Sequence, residues 1–133
     1  MITSADLEPI ASAVPSFHPK WQQVLEAELP EDADILVPEF SCHMSIHLVK
    51  AALAGDFRDF ELLFAALELP LSDPTTELFD SLTMGFLESL IHTCKMGGVS
   101  LERVRDCITG NNTRREWDGA YNYIHAGQEP TQR

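Results

Sequence analysis

The segment DPTTELFDSLTMGFLESLIHTCKMGG, residues 73–98, decides the fold. Asp73 followed by Pro74 is a typical helix start, because an acidic N-cap accepts a backbone N–H and proline fits the first turn. Apolar side chains then cover much of the circumference of the predicted helix: Leu78, Phe79, Leu82, Met84, Phe86, Leu87, Leu90 and Ile91. A helix that is apolar nearly all round is buried by its neighbours, so we expect residues 74–96 to form the centre of a helical bundle.

The flanking sequence divides into further helices at proline and glycine positions. We expect these helices near Pro19 to Leu29, Pro38 to Ala51 with Gly55 as its cap, Asp56 to Leu69, Ser100 to Ile108, and Asn112 to Gly127. Before them, Pro9 and Pro15 indicate a loose start, and Glu31 to Pro38 is predicted to be an acidic loop. No run alternates β-branched and polar residues as a half-buried strand would.

These patterns predict an all-α fold. The chain has 133 residues, which suits one compact domain with a single core. We therefore expect a single-domain bundle of five to six helices over residues 1–127, followed by a disordered tail at 128–133.

The negative charge is concentrated in one part of the chain. Residues 1–94 hold 16 acidic side chains against Lys20, Lys50 and Arg58, a balance of −13, whereas residues 95–133 have a balance of +1. Six of the acids fall between Glu26 and Glu39 with no basic residue among them. Such a surface repels itself and attracts cations, including basic protein surfaces.

Composition excludes several classes of function. A net charge of −12 argues against direct binding to nucleic acid, which requires a basic surface. No uncharged apolar run reaches the roughly 18 residues that cross a bilayer, and the N-terminal sequence lacks the pattern of a secretory signal. The three widely spaced cysteines form no zinc or disulfide pattern. A cytoplasmic protein without a cofactor is the expected class.

Residues 39–47 contain the sharpest candidate for metal chemistry. His43 and His47 are spaced i, i+4 and share a helix face, with Glu39 one turn earlier as a third ligand and Cys42 beside them. His47 also lies on the apolar stripe of that helix, where a hydrogen-bonded core imidazole is the ordinary explanation. We therefore predict no metal site. Nor does the sequence contain a serine elbow or a phosphate-binding glycine loop, and no catalytic residue is predicted.

Several separated segments together resemble a largely uncharacterised family of small, acidic, all-helical bacterial proteins, grouped with the immunity proteins of polymorphic toxin systems. The matching segments span about residues 38–120: Glu39-Phe40, His47-Leu48 with Gly55, FAALEL at 64–69, GFLESL at 85–90 and GNNTRREW at 110–117. The resemblance implies one helical domain without catalysis that binds and neutralises a cognate toxin.

The acidic segment allows two interpretations. It could be a solvated connector, but the apolar triplet Ile35, Leu36 and Val37 within it is more typical of a protein-binding patch rimmed by carboxylates. We therefore expect a set of nine residues to bind the partner by covering a basic toxin surface: Glu28, Glu31, Asp32, Asp34, Ile35, Leu36, Glu39, Asp56 and Asp59. Two alternatives stay open, namely an acidic DNA mimic that inhibits a nucleic-acid-binding enzyme, and a small metal-binding enzyme or sensor. The oligomeric state is open as well.

Overall fold

A computed structural model describes residues 1–27 and 33–126, with side chains omitted at 33 and 34. Within these ranges the chain is helical and contains no strand, which confirms the all-α prediction. The α-helices are α1 (Ser4–Ser12), α2 (His18–Ala27), α3 (Ala33–Leu53), α4 (Arg58–Leu67), α5 (Glu77–Asp80), α6 (Glu88–Gly97), α7 (Leu101–Arg105) and α8 (Asn111–Ala126). A 3-10 turn spans Pro70–Ser72, and a π-helical segment spans Ser81–Leu87. The predicted tail at 128–133 lies outside the described residues.

The predicted central helix is present, and it is formed by α5, the π-helical segment and α6 without a break. Its buried side chains face α3 on one side and α8 on another, and they include Leu82, Phe86, Leu90 and Ile91. The helix begins later than predicted, at Glu77, because the Asp73 carboxylate binds Thr75 in a local turn (2.6 Å to the hydroxyl). Thr76 is the N-cap instead.

The π-helical segment was not foreseen. A π turn closes i→i+5 hydrogen bonds and occurs mostly as a short insertion within an α-helix. Within this segment the hydroxyl of Thr83 donates to the carbonyl of Phe79 (3.0 Å). Gly85 lies in this segment, and a Cβ built there would stand 3.5 Å from Cγ1 of Val37 in α3. An added Cβ at Gly85 would therefore make an ordinary van der Waals contact with α3.

Two more helix starts differ from the prediction. Residues 4–12 form α1 rather than a loose start, with the Asp6 carboxylate accepting the backbone N–H of Thr3 (2.8 Å). Helix α3 begins at Ala33 rather than Pro38, so the predicted loop at 31–38 is wrong for residues 33–38. Leu36 and Phe40, one turn apart on α3, are both buried in the core, and their burial favours the helical path.

The predicted boundaries at Ser100 and Gly55 are confirmed, and α6 ends at the glycine pair that closes the central segment. Ser100 caps α7 by accepting the backbone N–H of Arg103 (3.3 Å). Gly98 follows α6 with a positive φ of 78°, and Gly55 follows α3 with a φ of 85°. Both angles lie in the left-handed region, which glycine enters without steric cost.

Aromatic side chains join the helices at two places in the core. Trp21 and Phe17 pack against Phe40 of α3, which in turn contacts Phe86 of the π-helical segment at a centroid distance of 5.7 Å. On the other side, Phe64 of α4 meets Trp117 of α8 edge to face at 5.7 Å. Among the described residues, no helix combines the length and apolar character needed to cross a membrane.

Candidate partner-binding surface

The predicted binding set is only partly visible in the structure. Glu28, Glu31 and Asp32 lie outside the described residues, and so does the side chain of Asp34. The described members are Ile35, Leu36, Glu39, Asp56 and Asp59. Of these, the first three belong to α3, and the other two lie at or near the start of α4.

The apolar triplet at the start of α3 does not act as one exposed anchor. Ile35 is 39% exposed, Val37 is partly buried beside Gly85, and Leu36 is completely buried. Leu36 therefore cannot supply contact area to a partner, and the prediction that it belongs to the binding set is wrong. The reason is the helix itself, since consecutive helical residues point about 100° apart and only one of the three can face solvent directly.

Glu39 lies one turn after Ile35 on the same face of α3. Its side chain is 43% exposed, and its carboxylate stands 3.9 Å from Nε2 of His43. A pair at this distance and exposure contributes little to stability. The N-terminal end of α3 therefore presents a carboxylate, Glu39, and an apolar side chain, Ile35, that a partner could contact.

Asp56 is held by its neighbour Arg58. Both Asp56 oxygens accept from the guanidinium, at 3.1 and 2.9 Å, and Oδ1 also accepts the backbone N–H of Arg58. The hydrogen bonds from Arg58 lower the pKa of Asp56 to about 2. The carboxylate is thus ionised but neutralised locally by a highly exposed arginine, which reduces its attraction for another cation.

Asp59 is occupied within the fold and is only 19% exposed at its side chain. Its Oδ2 accepts the hydroxyl of Ser16 at 2.7 Å and lies 2.9 Å from Nε2 of His47. The three side chains come from the connection before α2, from α3 and from α4, so they tie three parts of the chain together. The prediction that Asp59 serves a partner is not supported by this geometry.

The grouping of Ser16, His47 and Asp59 differs from a nucleophilic triad. In a triad the acid holds one imidazole nitrogen and the serine binds the other. Here both Ser16 and Asp59 contact the same nitrogen, Nε2, at 2.9 Å each. The serine proton points to Asp59, so the imidazole is not placed to accept it. The arrangement matches the core imidazole that the sequence allowed for His47, which also lies against Phe17 at a centroid distance of 5.5 Å.

The histidines of α3 are directed to different partners. His43 lies near Glu39, whereas His47 is engaged by Ser16 and Asp59. In the part of the chain that the structure describes, no group of three His, Cys, Asp or Glu side chains could hold a metal ion.

Among the described residues, no arginine of the C-terminal third forms a direct ion pair with an acid of residues 1–94. Arg105 forms a two-pronged pair with Asp118 at 2.8 and 2.9 Å, and Arg115 pairs with Glu116 at 2.7 Å. Arg114 donates to the carbonyl of Ile108, and Arg103 lies over the ring of Phe57 at 4.1 Å. The described acids of residues 1–94 therefore have no direct C-terminal arginine partner, although the charge of Arg115 helps to lower the pKa of Glu68.

The described site residues do not converge into one patch. Asp59 meets α3 at His47, two turns beyond Glu39, or about 12 Å along the helix axis. Asp56 lies farther along still, where its backbone N–H bonds the carbonyl of Ala51. Of the described members with accessible side chains, only Ile35 and Glu39 share one end of α3, next to the acidic segment.

Comparison of the chain with protein-family models, curated protein sequences and solved structures gave no match. Its function is therefore inferred from its own residues and contacts.

Proposed function

We propose that this chain is an immunity protein, which binds a cognate bacterial toxin and neutralises it by covering a basic active-site or substrate-binding surface. In this role the protein is not an enzyme, and it needs neither a metal nor a cofactor. The toxin contributes the cationic groups, and this chain contributes carboxylates and a small apolar contact.

The unneutralised charge of residues 1–94 is the observation that carries the proposal. Only three basic side chains accompany the 16 acids of this region, and one of them, Arg58, is already paired with Asp56. The described arginines of the C-terminal third are engaged by Asp118, Glu116, a carbonyl and an aromatic ring. A large uncompensated charge disfavours the isolated protein and accelerates encounter with an oppositely charged partner.

The N-terminal end of α3 is the best-supported contact point within that region. Ile35 and Glu39 are one turn apart and both accessible, and they follow directly on the acidic segment that begins at Glu26. Carboxylates set the rate and orientation of docking, while an apolar side chain among them supplies the desolvated contact that holds the complex.

Affinity capture from the native strain, followed by mass spectrometry, would identify the toxin candidate. Purified toxin should bind the wild-type chain, and co-expression should restore growth of cells that produce the toxin. Glu39→Lys should weaken binding by about tenfold or more, because it places a cation against a basic surface. Glu102→Lys, an equally large charge change at an exposed position of α7, is the matched control.

The two variants separate a specific surface from a general charge effect. The proposal predicts that Glu39→Lys loses protection while Glu102→Lys retains it. Equal loss in both variants would show that the N-terminal end of α3 is not the docking point. Absence of any captured cationic protein that inhibits growth would contradict the immunity role itself.

A further inference from the structure

The residues along the centre of the exposed face of α3 are uncharged and mostly apolar. Ile35, Cys42, Ile46 and Leu53 are all exposed, with Leu53 63% and Ile46 43% accessible. At 3.6 residues per turn, these four positions fall within an arc of about 40° on the helix. A long helix that packs on a core normally presents polar residues on its outer face, so an apolar outer line indicates a contact outside the chain.

The spacing of residues along this face is typical of two helices that pack along their length. We give the name seam to the six positions that follow. Positions 35, 39, 42, 46, 49 and 53 alternate steps of four and three residues, the repeat by which two helices pack along their length. Glu39 is its one charged member. Val49 is the exception in exposure, since it is buried (6% exposed) against Gly97 at the end of α6 and leaves Ile35, Cys42, Ile46 and Leu53 as the exposed uncharged members.

The seam is self-complementary when two copies run antiparallel. Centred between Cys42 and Ile46, an antiparallel pairing sets Ile35 against Leu53 and Cys42 against Ile46 of the second copy. The same register brings Glu39 beside Lys50, which is exposed on the same flank of the helix. Each of these contacts occurs twice, as a two-fold axis requires.

We propose that the exposed face of α3 is a homodimer interface, in which the α3 helices of two copies pack antiparallel and Glu39 pairs with Lys50 of the second copy. Charge distribution selects this direction. A parallel pairing would set the two Glu39 carboxylates side by side, whereas the antiparallel one separates position 35 of one copy from position 35 of the other by about the length of the seam, ~27 Å.

This inference does not rest on the proposed function, because self-association is measured without any toxin. Ile35 and Glu39 belong to both surfaces, so a second copy and the toxin compete for them, and the dimer dissociates before the toxin docks. An interface carried by one helix from each subunit belongs to the small, transient class, below about 1,200 Å² of total buried area. We therefore expect a dissociation constant on the order of 10 to 100 µM.

Sedimentation equilibrium of the native chain from about 1 to 500 µM tests the proposal directly. The expected result is a reversible monomer–dimer equilibrium, and a single monomeric species over the whole range would overturn it. Glu39→Lys and Lys50→Glu should each weaken dimerisation by about tenfold, and the double variant should return to within about threefold of the wild type. Glu39→Lys makes the chain less negative and so reduces general repulsion, which means that only loss of a specific pair explains weaker association.

A cysteine variant tests the register and direction. In Ile46→Cys, the native Cys42 of one copy lies opposite the new thiol of the other, so mild oxidation should give a covalent dimer within minutes. Leu62→Cys provides a control at a side chain that is equally exposed (43%) but lies on α4. Equal cross-linking of the two variants would contradict the proposed seam, as would failure of the charge-swapped double variant to recover dimerisation.

Discussion

The carboxylate of Glu68 accepts two hydrogen bonds from Thr113, 45 residues later in the chain: one from the backbone N–H and one from the hydroxyl, both at 2.9 Å. A third comes from the backbone N–H of Asn112, also at 2.9 Å. These N–H groups belong to the first turn of α8, which has no acceptor within the helix. A side chain at the end of α4 therefore caps α8 and fixes the two helices to each other.

Replacing this cap should destabilise the protein. Glu68→Ala removes acceptors from partly buried donors, and we expect the free energy of unfolding to fall by about 1–3 kcal/mol. Urea denaturation measures the change. Glu26→Ala, at an exposed position of α2, is the control and should alter stability by less than about 0.5 kcal/mol. Equal effects of the two substitutions would show that Glu68 is not a structural cap.

The stabilisation by Glu68 should depend on pH. Burial acts to raise the pKa of this carboxyl, but the hydrogen bonds from Thr113 and Asn112 outweigh it, so the pKa lies below its ordinary value of 4.5. A group whose pKa is lowered by folding stabilises the fold above the unfolded pKa and loses that effect as the pH falls through the folded pKa. The stability gap between wild type and Glu68→Gln should therefore be full at pH 7 and shrink below about pH 4. A gap that stays constant to pH 2.5 would contradict this.

Two glycines offer a matched pair of alanine substitutions. Gly98 has a φ of +78° and ends α6, whereas Gly119 lies inside α8, where an added Cβ would meet no atom within 4 Å. Gly98→Ala should lower the melting temperature, at a cost of about 1 kcal/mol, because the left-handed conformation is strained for alanine. Gly119→Ala should raise stability by about 0.5–1 kcal/mol through its helix propensity. Thermal unfolding of both variants tests whether the two substitutions change stability in opposite directions.

Asp59 should affect stability rather than partner binding. Asp59→Ala leaves Ser16 and His47 without their shared acceptor, and we expect unfolding to become easier by about 1–3 kcal/mol. The variant that remains folded should bind the toxin within about threefold of the wild type, because this carboxylate is directed inward. A large loss of toxin affinity with unchanged stability would contradict this prediction and show that Asp59 belongs to the binding surface.

The three cysteines should differ sharply in reactivity. Cys42 is exposed, while Cys94 is buried and desolvation raises the pKa of its thiol to about 12. Burial also raises the pKa of Cys107. Because the thiolate is the reactive form, a disulfide reagent at pH 8 should modify one thiol quickly in the native protein and all three in urea. Rapid reaction of two or more thiols without denaturant would contradict the described packing.

Sequence patterns predicted the helical fold and its centre, because these depend on apolar periodicity and on caps such as Ser100 and Gly98. The two helix starts that were missed have a common cause. Pro9 and Pro38 each occupy the sixth residue of a helix, and each was interpreted as marking irregular structure or a helix start. A proline so near the N-terminus removes one hydrogen bond, a loss that burial of Leu7 or Leu36 can offset.

The binding residues were harder to predict, because their orientation depends on where α3 begins. A helix from Ala33 turns Leu36 inward with Phe40 and turns Ile35 outward with Glu39, whereas a loop would have left the whole triplet available. The capture of Asp59 by Ser16 and His47 joins residues 12 to 43 positions apart, which no local pattern reveals. The π-helical segment likewise has no sequence signal that distinguishes it from an ordinary helix.

The most direct test of the central claim, that the acidic region docks on a cationic toxin surface, is the association rate constant measured against salt. Stopped-flow mixing of the toxin with this protein should give an association rate that falls by about tenfold or more between 50 and 500 mM NaCl, with a much smaller change in the dissociation rate. An association rate that stays the same across that range would contradict the account.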